Sequence, residues 1–98
     1  GNIIDIFLPE KELKKQIMSI VTDSKALEEP KNPDTDNVFA IYNLLADDNQ
    51  SKEMRSNYLA GNYGYGHAKQ ALLGLILDKY KIERERFNQY MNDLTSLN

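Results

Sequence analysis

The chain has no cysteine, so it can hold neither a disulfide framework nor a thiolate metal site, and it lacks the thiol that many enzymes use as a nucleophile. That absence fits a reducing, cytosolic setting. A single histidine, His67, leaves no second imidazole with which to share a metal, and its neighbours Gly66 and Ala68 supply neither base nor ligand, so it is read as structural. Long apolar runs are missing too. The longest, Ala71 to Leu77, falls well below the roughly 20 residues that a bilayer span needs, and nothing resembles a signal peptide, so no membrane role is expected. Nor is there an excess of positive charge: 12 basic against 15 acidic residues give a net charge of −3, unlike the strongly basic footprint of a general nucleic-acid binder.

What is present is 98 residues, 41% hydrophobic and 28% charged, enough for one core and too little for two. Leu13, Ile17, Ile20 and Val21 recur at helical spacing and predict a helix over 9–21, with Pro9 at its first position. Residues 22–37 hold Pro30 and Pro33 and are rich in acid, which makes them a connecting loop, either long and ordered or floppy. A second helix, capped by Asp36 or Asn37, buries Val38, Ile41, Tyr42 and Leu45 and breaks at Asp47-Asp48-Asn49. A third runs over 51–59 from Ser51, with Met54, Tyr58 and Leu59 inward, and stops at Gly61. The last starts after Gly66 and continues to Leu94. At about 1.5 Å per residue it would outrun so small a domain, which predicts a bend at 81–83. The expected fold is all-α, a small bundle of about four helices with a long C-terminal one.

No constellation announces chemistry by itself. Asp34 and Asp36 could open a calcium loop, but Val38 stands where a third ligand belongs. Gly64-Tyr65-Gly66 lacks the third glycine and the preceding strand of a dinucleotide fingerprint. Two readings of it remain: a tight turn that packs Tyr63 or Tyr65 on the bundle, or a helix start whose amides meet a phosphate together with Lys69. Lys11, Lys14 and Lys15 share one helix face, which is either a solvated surface or a phosphate-contacting stripe. Lys79, Lys81, Arg84 and Arg86 interleave with Asp78, Glu83 and Glu85 and read as intrahelical pairs.

Three segments, taken in order, carry a resemblance. Lys14-Lys15-Gln16-Ile17-Met18-Ser19-Ile20-Val21-Thr22-Asp23-Ser24 resembles the Lys-Lys-Ile-x-x-Ala-Val-Thr-Asp-Ser stretch of bacterial tryptophanyl-tRNA synthetases. Asn37-Val38-Phe39 with Ile41-Tyr42 is similar to that family's Ser-Asn-Leu-Leu helix start. Tyr63-Gly64-Tyr65-Gly66-His67-Ala68-Lys69 looks like its Gly-x-Gly-Tyr-Gly-x-x-Lys turn, followed in both by a long helix with arginine and aromatic residues, here Glu83-Arg84-Glu85-Arg86-Phe87. Gly1-Asn2 matches the end of the family's KMSKS catalytic loop.

The resemblance implies that residues 1–98 are the helical anticodon-binding region of a class I aminoacyl-tRNA synthetase, without its Rossmann domain or final helix. It implies tRNA and the catalytic domain of the same chain as partners, Lys14, Lys15 and Lys69 as tRNA-contacting candidates, and Gly1 and Asn2 as the hinge to the catalytic loop. The parent would use ATP with magnesium and act as a homodimer, while this region would hold no cofactor, metal or catalytic residue of its own. Tyrosyl-tRNA synthetases share the architecture with a weaker match at Val-Thr-Asp-Ser and Gly-Tyr-Gly. The alternative from another class is a free-standing helical adaptor that binds a protein through an apolar face.

Overall fold

The computed structural model describes residues 4–96, and these form five helices and a short 3-10 turn, with no strand among the described residues. Helix α1 spans Glu10–Met18, α2 Asn37–Leu45, α3 Asp48–Ala60, α4 Tyr65–Lys79 and α5 Lys81–Ser96, and the 3-10 turn is Pro33–Thr35. Helix α4 is the centre of the bundle, packing on α1 and α2, while α2 also meets α3.

The caps explain where the helices begin. Pro9 precedes α1 as its cap instead of occupying its first turn, and no side chain caps that end. Asp36 caps α2 by accepting from the Phe39 N–H at 2.9 Å, one of the two residues expected there. Helix α3 starts earlier than Ser51. The break at Asp47-Asp48-Asn49 is itself a capping box, in which Asp47 accepts from Gln50 N at 2.7 Å and Gln50 Oε1 accepts from Asp47 N at 3.0 Å. Gly61 ends α3 at φ +83°, and a Cβ there would lie 2.6 Å from the Glu28 carbonyl oxygen, so both backbone and space demand glycine.

The core joins Leu13, Ile17 and Ile20 of α1 and its exit to Val38, Phe39 and Tyr42 of α2, Met54 and Tyr58 of α3, and Ala68, Leu72, Leu75 and Ile76 of α4. Three expectations fail here. Val21 is 73% exposed because α1 ends at Met18 and the chain has turned away before reaching it. Leu59 is 55% exposed because Tyr58 takes the inward position beside it. Ile41 and Leu45 are only half-buried, and Phe39 is the buried residue instead.

The long last helix is two helices. Tyr80, at φ −109° and ψ 23°, interrupts the helix one residue before the expected bend. Beyond it α5 projects from the bundle, giving extents of 54 × 26 × 20 Å and a radius of gyration of 15.6 Å, against about 13 Å for a compact chain of this length. Ile82, Phe87, Tyr90, Met91 and Leu94 remain exposed along it. Arg84 does not form the expected intrahelical pair. Its guanidinium donates instead to the main-chain carbonyls of Ile6 and of Leu8, the latter at 2.7 Å, at the amino end of the chain.

Candidate nucleic-acid interface

The loop between α1 and α2 is tied down from several sides, which gives the surface around it a fixed shape. Lys31 is buried, and its ammonium donates to the carbonyls of Ala26, Leu27 and Glu29 at 3.2, 3.3 and 3.2 Å, with the Tyr65 ring centroid 5.2 Å away. A buried charge needs such partners, and three carbonyl dipoles with a ring face supply them. Its backbone N–H donates to Tyr58 O at 2.7 Å, joining the loop to α3. Arg55 adds a bidentate pair to Asp34, at 2.9 and 3.1 Å. The guanidinium holds the Asp34 carboxyl below its ordinary range.

The acidic loop meets the start of α4 through tyrosine. Tyr65 donates its hydroxyl to Asp23, and this bond, with the Lys25 N–H at 3.1 Å, lowers the Asp23 carboxyl from its ordinary range. Tyr58 donates to the buried Asp36 carboxylate at 2.6 Å, and burial together with that bond pushes its phenol far above the usual value. Asn37 Nδ2 donates to Val21 O at 2.9 Å and closes one side of a cleft of about 250 Å³ lined by Val21, Thr22, Asp23, Thr35, Asp36 and Asn37.

Lys14 and Lys15 stand exposed on α1. Lys69 is half-buried on α4, and its ammonium donates to Met18 O at 2.8 Å, on the last turn of α1, where a cation also favours the helix dipole. Its partner Met18 lies a few residues upstream of the cleft wall formed by Val21 to Asp23. Gly1 and Asn2 lie outside the described residues. His67 is exposed, its ring 5.9 Å from that of Tyr63, and no group of three or more His, Asp or Glu residues that could hold a metal occurs among the described residues. Gly64 caps α4, and a Cβ on it would approach Leu27 Cδ1 to 3.2 Å, so the exposed Leu27 side chain would have to give way slightly. Sequence reasoning missed Lys31, whose burial no periodicity marks, and Arg84, whose carbonyl partners lie more than seventy residues away.

No family model matches the chain. It is 51% identical over 86 residues to the tryptophan–tRNA ligase of Fusobacterium nucleatum, covering 88% of this chain and 26% of that protein. It is 48% identical over 90 residues to the enzyme of Campylobacter jejuni, covering 92% of this chain and 28% of the relative. The crystal structure of the Campylobacter jejuni tryptophanyl-tRNA synthetase complexed with ADP and tryptophan superposes with a TM-score of 0.88 at 46% identity, over 96% of this chain and 30% of that one. The chain is homologous to one segment of the tryptophan–tRNA ligases.

It thus spans between a quarter and a third of the length of these relatives. Within this chain the two motifs that carried the resemblance, some forty residues apart, are in contact. Tyr65 of the Gly-Tyr-Gly turn bonds Asp23 of Val-Thr-Asp-Ser, and Lys69 of the first bonds the helix end that leads into the second. No helix among the described residues is long and apolar enough to cross a membrane.

Proposed function

We propose that this chain is the helical region of a bacterial tryptophan–tRNA ligase that receives the anticodon arm of the tRNA. The observation that carries the reading is the joint agreement of sequence and fold, 51% identity over 86 residues with one ligase and a TM-score of 0.88 with another. In this reading the whole polypeptide converts tryptophan and ATP, with magnesium, to tryptophanyl-adenylate and then charges the tRNA. ATP and tryptophan bind in a Rossmann domain beyond this chain, so no step of the chemistry is assigned to these residues. The partners are tRNA and that catalytic domain, the parent is a homodimer held mainly by its catalytic domains, and the reaction runs in the cytoplasm.

The role of this region is to bind and orient. Lys14 and Lys15 meet phosphates from an exposed helix face, and Lys69 has two of its three N–H donors left beyond the one on Met18 O. The adjacent cleft is lined by the exposed Asp23 and by Thr22 and Thr35, whose oxygens are acceptors suited to the exocyclic amine of an unpaired base, while the Asp36 carboxylate is committed to Phe39 N and Tyr58. A net charge of −3 is compatible with this because a few well-placed phosphate contacts suffice when the rest of the enzyme contributes more. Gly1 and Asn2 form the hinge into the catalytic loop.

A charging assay on the full-length polypeptide tests the reading. Purified protein with ATP, magnesium and tryptophan should aminoacylate tRNA from a bacterium, and should ignore tyrosine. Charging with tyrosine would move the chain to the tyrosyl enzymes, and no charging with either amino acid would leave the adaptor as the better account.

A further inference from the structure

The chain enters α1 without a side-chain capping bond. Pro9, the residue at the cap position, makes none and has no N–H, so α1 itself does not fix the direction from which residues 4–8 arrive. Other groups do. Leu8 N donates to Asp5 O at 3.2 Å and Phe7 N to Asp5 Oδ1 at 3.0 Å, closing a turn, and Asp5 N donates to Gln16 Oε1 at 2.8 Å. From the opposite side Arg84 of α5 donates to both Ile6 O and Leu8 O, and the Phe87 ring lies 4.9 Å from that of Phe7 at an angle of 33°.

Arg84 and Phe87 sit one turn apart on the same side of α5, close to the interruption at Tyr80. Arg84 is the half-buried residue in the run 81–95, where its neighbours are exposed. Both bonds leave the same guanidinium nitrogen, Nη1, whose two N–H donors each take one carbonyl, and two acceptors on one nitrogen define an orientation that a single bond would leave free. We propose that Arg84 and Phe87 are a latch through which the orientation of α5 about Tyr80 sets the position of residues 4–8, making Arg84 a positioning residue for the catalytic loop ahead of them. The latch is a property of this chain, and its effect on the reaction rests on the ligase reading above.

The test compares Arg84→Met, Arg84→Lys and Phe87→Ala in the full-length polypeptide. Amide exchange at Asp5, Phe7 and Leu8 should quicken by about tenfold in Arg84→Met, the loss of one or two charge-assisted bonds that hold the turn. Adenylate formation at saturating ATP should slow by about tenfold as well, with the tRNA dissociation constant unchanged. Arg84→Lys, which keeps a charged nitrogen with donors for these carbonyls on a shorter side chain, should recover part of both losses, and Phe87→Ala should reproduce them in milder form. Unchanged exchange at these amides overturns the latch. Faster exchange with wild-type adenylate formation overturns the positioning role. A wild-type polypeptide that makes no adenylate refutes the ligase reading, and the exchange data still decide for or against the latch.

Discussion

Replacing Tyr58 with phenylalanine removes one oxygen from the centre of the molecule and leaves the ring in place. Tyr58 has no exposed surface, and its ring packs 5.6 Å from Phe39, 6.2 Å from Tyr63 and 6.4 Å from Tyr65, contacts that a phenyl ring keeps. The lost interaction is the 2.6 Å bond to the Asp36 carboxylate, which is only 8% exposed. Hydrogen bonds to a charged group contribute about 1.5–3 kcal/mol, and here the carboxylate left behind is buried, which favours the upper part of that range. Asp36 would keep its cap on Phe39, so α2 should still form. For a domain near this size each kcal/mol lowers the thermal midpoint by about 4–8 °C, so urea and thermal unfolding at neutral pH resolve the effect easily. The same substitution in an Asp36→Ala background should cost about 1 kcal/mol less, because the partner is already gone. A loss below about 0.5 kcal/mol, or an equal loss in both backgrounds, would refute the assignment of this bond as a principal tie between α2 and α3.

Gly61→Ala should destabilise by about 1–3 kcal/mol in urea titrations, since φ is +83° and the new methyl would meet Glu28 O; a neutral result would mean that the turn rebuilds freely. Stability should fall in acid. Asp23 and Asp34 are depressed below their ordinary value of 3.8, so their contribution is present above that pH and is lost as pH falls through the lower folded values; Asp34→Asn and Asp23→Asn should each flatten the acid limb, and an unaltered limb in both would contradict it. The far turns of α5, with Tyr90 60%, Met91 44% and Leu94 43% exposed, should exchange amides faster than residues 72–76 and draw copies together as concentration rises in sedimentation; a strictly monomeric chain protected equally in both stretches would show that α5 is stable unaided.

The sequence made the all-α bundle legible because its core is written at helical spacing: Leu13 with Ile17, Val38 with Tyr42, and Leu72 with Leu75 and Ile76. It misplaced the start of α3 because two capping signals, Asp47 and Ser51, stand four residues apart, and only the reciprocal bonds with Gln50 decide between them. Lys14, Lys15 and Lys69 stand out in the sequence as motif and charge, and the structure adds the bond from Lys69 to Met18 O. The remainder is tertiary. Lys31 reads as one more loop lysine until three carbonyls enclose it, and Arg84 reads as one of four alternating charges until the amino-terminal segment folds back onto it. Long-range bonds of this kind leave no local pattern, which is why charge alternation suggested intrahelical pairs in their place.

The proposed binding of tRNA by this helical region is measured most directly through its salt dependence. The full-length polypeptide and its Lys14→Ala, Lys15→Ala, Lys69→Ala triple variant should be titrated with tRNA over a series of salt concentrations. The variant should bind more weakly, with a slope of log affinity against log salt that is shallower by roughly two to three, and should form adenylate at close to the wild-type rate. Equal affinity and equal slope for the two proteins at every salt concentration would contradict it.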